Sequence, residues 1–173
     1  MSMEPTPKPN EAAFLESLRR TFKTASLIGL GEIVGLAVYL LLEEIIRSQK
    51  RPFFGFFSET LDGGARMALR YAFYAGAVAI VLLLRFVTGR HFRKIEGLNA
   101  ETALPRLLRS SVVALTLAGL PAFLGLVLFL IAGYNRDFYV LLFVSLFLFF
   151  MHFPRLKNWE DVLQKNPSIC RLI

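Results

Sequence analysis

Residues 25–45 read ASLIGLGEIVGLAVYLLLEEI. A run this apolar can cross a hydrocarbon core about 30 Å thick as a helix rising about 1.5 Å per residue. Yet it carries Glu32 inside it and Glu43 with Glu44 at its far end. At about 100° per residue, Tyr39 falls about 20° to one side of Glu32 and Glu43 about 20° to the other. The spacing therefore predicts one polar stripe, Glu32, Tyr39 and Glu43, running down the first span. A charged side chain at mid-bilayer costs about 2.5–3.5 kcal/mol on insertion scales. The stripe is thus expected to face other helices, with Glu32 either paired or protonated.

Working outward, 55% of the 173 residues are hydrophobic. That exceeds the share usual for soluble domains, and a chain of this length has room for one compact unit. Besides residues 25–42, apolar runs occur at 71–84, 110–134 and 138–151. The second run is short, since fourteen helical residues reach only about 21 Å. Arg70 and Arg85 at its two ends are expected to snorkel toward the headgroups so that it can cross. The fourth run can extend through Phe153. The fold expected is an all-α polytopic membrane protein, a four-transmembrane-helix bundle with short amphipathic interfacial helices. Three regions follow: a cytoplasmic tail and amphipathic lead-in over 1–24, the transmembrane domain over 25–153, and an amphipathic cytoplasmic tail over 154–173.

The net charge of +7 matters here through its distribution. Fourteen of the twenty Lys and Arg lie in the N-terminal tail, the second loop and the C-terminal tail, and six in the first and third loops. By the bias that leaves basic residues on the cytoplasmic side, both termini are expected in the cytoplasm, in a multi-pass protein of an inner (plasma) membrane. The basic residues sit beside spans and not in one patch with interleaved aromatics. Lipid bilayer, with anionic headgroups at the cytoplasmic face, is therefore the expected surroundings, and nucleic acid is not an expected partner. The N-terminal MSMEPTPKPN has no apolar stretch of its own, and no small-x-small pair ends the first span. The first helix is accordingly read as retained and not as a cleaved signal.

Between these spans the chain is informative in places. EAAFLESLRRTFKT, residues 11–24, puts Phe14, Leu15, Leu18 and Phe22 on one face against Arg19, Arg20 and Lys23. It is either an amphipathic segment lying on the membrane or a prolongation of the first helix. In the first loop PFFGFF suits the membrane interface, as a short wedge or as packing over helix ends, with lipid or quinone contact the sharper alternative. Asp62 before two glycines can cap the second helix, and the second loop is large enough to hold a helical turn, with Asn99 as its candidate cap and Pro105 suited to a first turn. GYNRD is a tight turn, so the third and fourth spans are expected to form an antiparallel hairpin. After Pro154, Asn158 can cap a short amphipathic helix carrying Trp159.

Depth along the helices suggests charge partners. Glu32 is about 13 Å from Lys23 along the first helix, and Arg85 lies near the same edge of an antiparallel second helix. The expectation is that Arg85 meets Glu32 and that Glu43 or Glu44 meets Arg66 or Arg70. Small residues at four-residue spacing predict close packing within the core, with homo-oligomerisation the alternative: Gly31 with Gly35, Ala68 and Ala72 with Gly76, and Ala114, Ala118 and Ala122.

Enzyme signatures are missing from the sequence: no H-E-x-x-H, no phosphate-binding loop, no nucleophile elbow and no cluster at metal-ligand spacing. No catalytic residue, metal or cofactor is therefore assigned. His91 and His152, at helix ends, are read as boundary residues, with haem or metal ligation the alternative. Cys170 is the single cysteine, which excludes an internal disulfide.

LAGLPAFLGLVLFLI, residues 117–131, resembles the carboxylate-bearing helix of rotary ATP synthase proteolipid subunits, in which an acid stands six positions before a G-L-V run. Gly119 occupies that position here. GLPAFLGLVLFLIAG, DFY and FPRLKNWED together resemble uncharacterised small bacterial inner-membrane proteins of four spans. That resemblance implies the span number and no activity. The function expected is that of a non-enzymatic integral membrane protein, an accessory or assembly subunit whose helix faces meet partner membrane subunits. The alternative is a small proton-linked transporter or ion carrier with Glu32 as a titratable relay.

Overall fold

The computed structural model describes residues 9–50, 52–57, 62–93 and 100–153. Four helices make up nearly all of this: α1 (Pro9–Gln49), α2 (Gly63–Arg93), α3 (Ala100–Ala132) and α4 (Asn135–His152). There is no strand among the described residues. Each helix contains a window long and apolar enough to cross a membrane.

The helices are longer than the apolar runs that seeded them, because helix continuity needs only backbone pairing and tolerates charged turns that project into headgroups. The 41 residues of α1 extend about 61 Å and absorb the amphipathic lead-in, which is thus a prolongation of the first helix. Arg70 and Arg85, which the sequence put at the ends of a short span, lie inside the 31-residue α2. Pro105 stands inside α3, beyond its first turn. The Asn99 cap, the C-terminal helix with Asn158 and Trp159, and Cys170 lie outside the described residues, as does the side chain of His91.

α3 is the axis of the structure. It packs along α4, α2 and α1, whereas those three approach one another only sparsely. Of its most apolar window 56% is buried, against 17% for α1 and 11% for α2. Ala114, Ala118 and Ala122, four residues apart and all buried, provide the flat face that this placement requires. Leu36 of α1, Leu84 of α2 and Leu148 with Phe149 of α4 close around them in one cluster. Small side chains let neighbouring backbones approach, which matters in lipid because burial from water no longer drives helices together.

The turn from α3 to α4 is two residues, Gly133 and Tyr134, and it folds the pair into a tight hairpin. Gly133 takes the left-handed conformation (φ +73°) that ends a helix without a Cβ penalty. Deeper in the hairpin Gly125 is the point of closest approach, where an added Cβ would stand 3.0 Å from Leu141 Cβ and 3.3 Å from the Phe138 backbone.

Candidate functional site

The groove between α1 and α3 holds the acid that the sequence singled out. Glu32, Gly35, Leu36 and Tyr39 line it from α1, and Thr116, Gly119, Leu120 and Phe123 from α3, around a volume of about 330 Å³. Glu32 is half-buried there. Its Oε2 lies 3.4 Å from the place a Cβ on Gly119 would occupy, so the missing side chain at Gly119 leaves room for the carboxylate. Among the described residues Glu32 has no hydrogen-bond or ion-pair partner. Its fellow stripe residue Tyr39 shares the groove, packing against both core clusters and tilting its ring 6.3 Å from that of Phe123.

The third member of the stripe has a different environment. Glu43 is wholly buried. Tyr139 Oη donates to its Oε2 at 2.8 Å. Asn135, turned so that both amide atoms find complementary groups, donates to Glu43 Oε1 at 2.6 Å and accepts from Arg47 Nη1 at 2.9 Å. Arg47 also pairs with Glu44 at 3.0 Å, one turn back on α1. These contacts tie the end of α1 to the first turns of α4.

A second network ties α2 to α4. Arg70 Nη2 donates to Asp137 Oδ1 at 2.7 Å, and Tyr74 Oη donates to the same oxygen at 2.9 Å. Asp137 is only 3% exposed, and the Arg70 guanidinium lies 5.5 Å from the Tyr134 ring centre. The Arg70 side chain, 44% exposed, thus reaches an acid, and that acid is Asp137, not Glu43 or Glu44. The expected partnership of Arg85 with Glu32 is likewise absent. Arg85 is exposed on α2, and no ion pair among the described residues includes it. The physical reason is common to both corrections: α1 and α2 each pack on α3 and approach one another only sparsely, so neither Arg70 nor Arg85 is set beside an acid of α1.

Asp137 is the site residue that sequence reasoning missed, GYNRD having been read only as a turn. Its signal was an acid in the first turn of an apolar helix. Ser145 was missed too. It is the lone small hydroxyl in the fourth span, and its Oγ accepts from Ala122 N at 2.7 Å, wholly buried. Pro121 precedes that amide and can supply no N–H of its own, which disturbs the backbone ladder of α3 at mid-span. Ser145 meets the disturbance from the neighbouring helix.

Over these networks lies the PFFGFF loop. Phe56 N–H and Phe57 N–H donate to Leu130 O at 2.8 Å and Ile131 O at 3.2 Å. They satisfy carbonyls in the last turn of α3 that have no partner within the helix. Gly55 (φ +96°) presses so close to Gly133 that an added Cβ would stand 2.4 Å from Ile131 O. Phe53 packs on Phe129 at 5.0 Å, and Lys50 Nζ lies 4.8 Å from the Phe56 ring centre. At the start of α2, Asp62 Oδ1 accepts from Ala65 N at 2.8 Å as its cap.

Of the glycines assigned to packing, Gly76 touches Leu124, at 3.6 Å from its added Cβ, an ordinary contact. Gly31 and Gly35 behave otherwise. A side chain on either would meet nothing within 4 Å, so this pair does not serve packing inside the chain. Both stand on the part of α1 that turns away from, or only flanks, α3. His152 Nδ1 lies 3.0 Å from Leu148 O, its own helix backbone, and no group of three or more His, Cys, Asp or Glu among the described residues could hold a metal ion.

The arrangement defines a four-helix chain with spans fit for a membrane, a locked polar end and an open acidic groove. No protein-family model, curated protein or solved structure matches it.

Proposed function

We propose that this chain is an integral membrane protein of an inner membrane, both termini cytoplasmic, that works by helix association as an accessory or assembly subunit. The observation that carries the reading is the unfinished packing of α1. Only 17% of its span is buried, its outer face presents Leu27, Leu30, Val34 and Leu41 well exposed, and beside them Gly31 and Gly35 leave backbone uncovered. Lipid can solvate exposed leucines, but small residues on an open helix face favour the close approach of another helix. The fourteen basic residues assigned to the cytoplasmic side support the orientation. Extraction in a mild detergent, followed by identification of what copurifies in stoichiometric amount, tests this. The subunit reading expects associated membrane chains, and a chain that runs alone as a monomer overturns it.

A second reading is favoured by one specific observation, the half-buried, unpartnered carboxylate of Glu32 in its groove. Intramembrane acids mark ion paths, and a proton-linked carrier would use Glu32 as its relay. Flux by the purified protein in liposomes, abolished by Glu32→Gln, is its expected signature.

A further inference from the structure

Within the described spans, an acid and a base on opposite flanks of α3 stand without partners. Glu32 faces the α1/α3 groove, and Arg85 is exposed on α2. We propose that Glu32 of one copy pairs with Arg85 of a second copy, whose α2 seats in the groove between α1 and α3. The proposal rests on the association reading and deepens it by naming the first partner as another copy of this chain.

Depth supports the pairing. Gly76 lies against Leu124, and Leu84 packs with Ala114 and Ala118, so α2 runs antiparallel to α3 and Arg85 comes level with about residue 115 of α3. Glu32 lies against Gly119. About four residues of helix separate the two levels by about 6 Å, a difference an arginine side chain can bridge. Copies held in one orientation by the same membrane keep this match whatever the angle between them. Within a copy the match is useless, because α3 intervenes.

Shape supports it as well. Tyr71, Ala75, Val78, Leu82 and Arg85 recur at spacings of four and three and are all exposed, one continuous face of α2 that nothing among the described residues covers. Opposite, Gly35 lines the groove and Gly31 stands one turn away, each with nothing within 4 Å of an added Cβ, so the incoming helix meets no side chain there. Bringing Arg85 to Glu32 gives each side chain the opposite-charge partner that it lacks within one copy. The contact joins different faces of the two copies, so it propagates, and it closes into a ring if the rotation between copies allows.

Crosslinking of the full chain in membranes tests this, in a Cys170→Ser background. Glu32→Cys and Arg85→Cys chains carrying different tags are expected to be joined by a bis-maleimide with a spacer of about 10 Å when coexpressed, with far less product from either chain alone, since the offset between the two positions is too long for a direct disulfide. Independently, Glu32→Arg and Arg85→Glu are each expected to weaken self-association in mild detergent at least tenfold, and their combination in one chain to restore it. The mixed crosslink together with restoration supports the proposal. If the Glu32→Cys chain crosslinks only to a different, stoichiometric membrane protein, the second copy is overturned and the subunit reading stands. A wild-type chain that is monomeric and copurifies with nothing overturns both.

Discussion

Glu32 and Glu43 stand on the same helix and nearly the same face, yet one is open and the other locked. Glu43 is wholly buried, with Tyr139 and Asn135 on its two oxygens. Glu32 has a groove of about 330 Å³ in front of it and no partner among the described residues. The difference comes from what α4 brings to each level. Its first turns carry Asn135, Asp137 and Tyr139, which meet both flanking helices, while farther along only Ser145 is polar before the terminal His152, and that hydroxyl is taken by α3. The lesson is that an intramembrane acid is structural or available according to its neighbours, not its helix.

The contrast can be tested by stability in detergent-denaturant titration, starting with the change of largest effect. Glu43→Ala leaves the Tyr139 hydroxyl and the Asn135 amide without their acceptor, and about 3 kcal/mol of stability is expected to go. If the loss is negligible, the locked end is not locked. Gly55→Ala is expected to cost about 2 kcal/mol or more, because the left-handed backbone and the clash with Ile131 O both oppose a side chain. Its local consequence, release of the PFFGFF loop from α3, should appear as faster hydrogen exchange at the Phe56 and Phe57 amides.

Ser145→Ala removes the acceptor for Ala122 N–H next to Pro121 and is expected to cost about 1 kcal/mol, the scale of interhelical hydrogen bonds in membrane proteins. A loss larger than that of Glu43→Ala would reverse the ranking and place the critical polar contact at mid-span. Glu32→Gln completes the series. In the isolated chain it is expected to change stability by less than about 0.5 kcal/mol, since no contact is broken. A large destabilisation would mean that Glu32 is as structural as Glu43 and would end the comparison.

Much of this architecture was legible beforehand. Four apolar runs announced four helices, GYNRD announced the hairpin, Asp62 announced a cap, and period-four alanines at 114, 118 and 122 announced the packing face. Charge partners were not legible. Matching Arg70 and Arg85 to the acids of α1 assumed that consecutive helices are neighbours, and here the third helix separates the first two. Gly31 and Gly35 were assigned to packing by the same local pattern as the alanines, and only their direction relative to α3 distinguishes the two cases. Asp137 escaped notice because a residue in a five-letter turn signal is read for backbone shape before chemistry.

By itself the sequence determined the parts: the number of helices follows from runs of apolar residues, and the identity of the hard-to-bury groups from their interruption, because helix formation and exclusion of charge from hydrocarbon are local properties. Which helix lies between which, and therefore which acid gains a partner, was decided only in three dimensions. Pairing depends on distances between segments remote in the chain, set by where α3 with its alanine face could take all three others against it. Glu43 and Asp137 were enclosed by that packing, and Glu32 was left facing its gap.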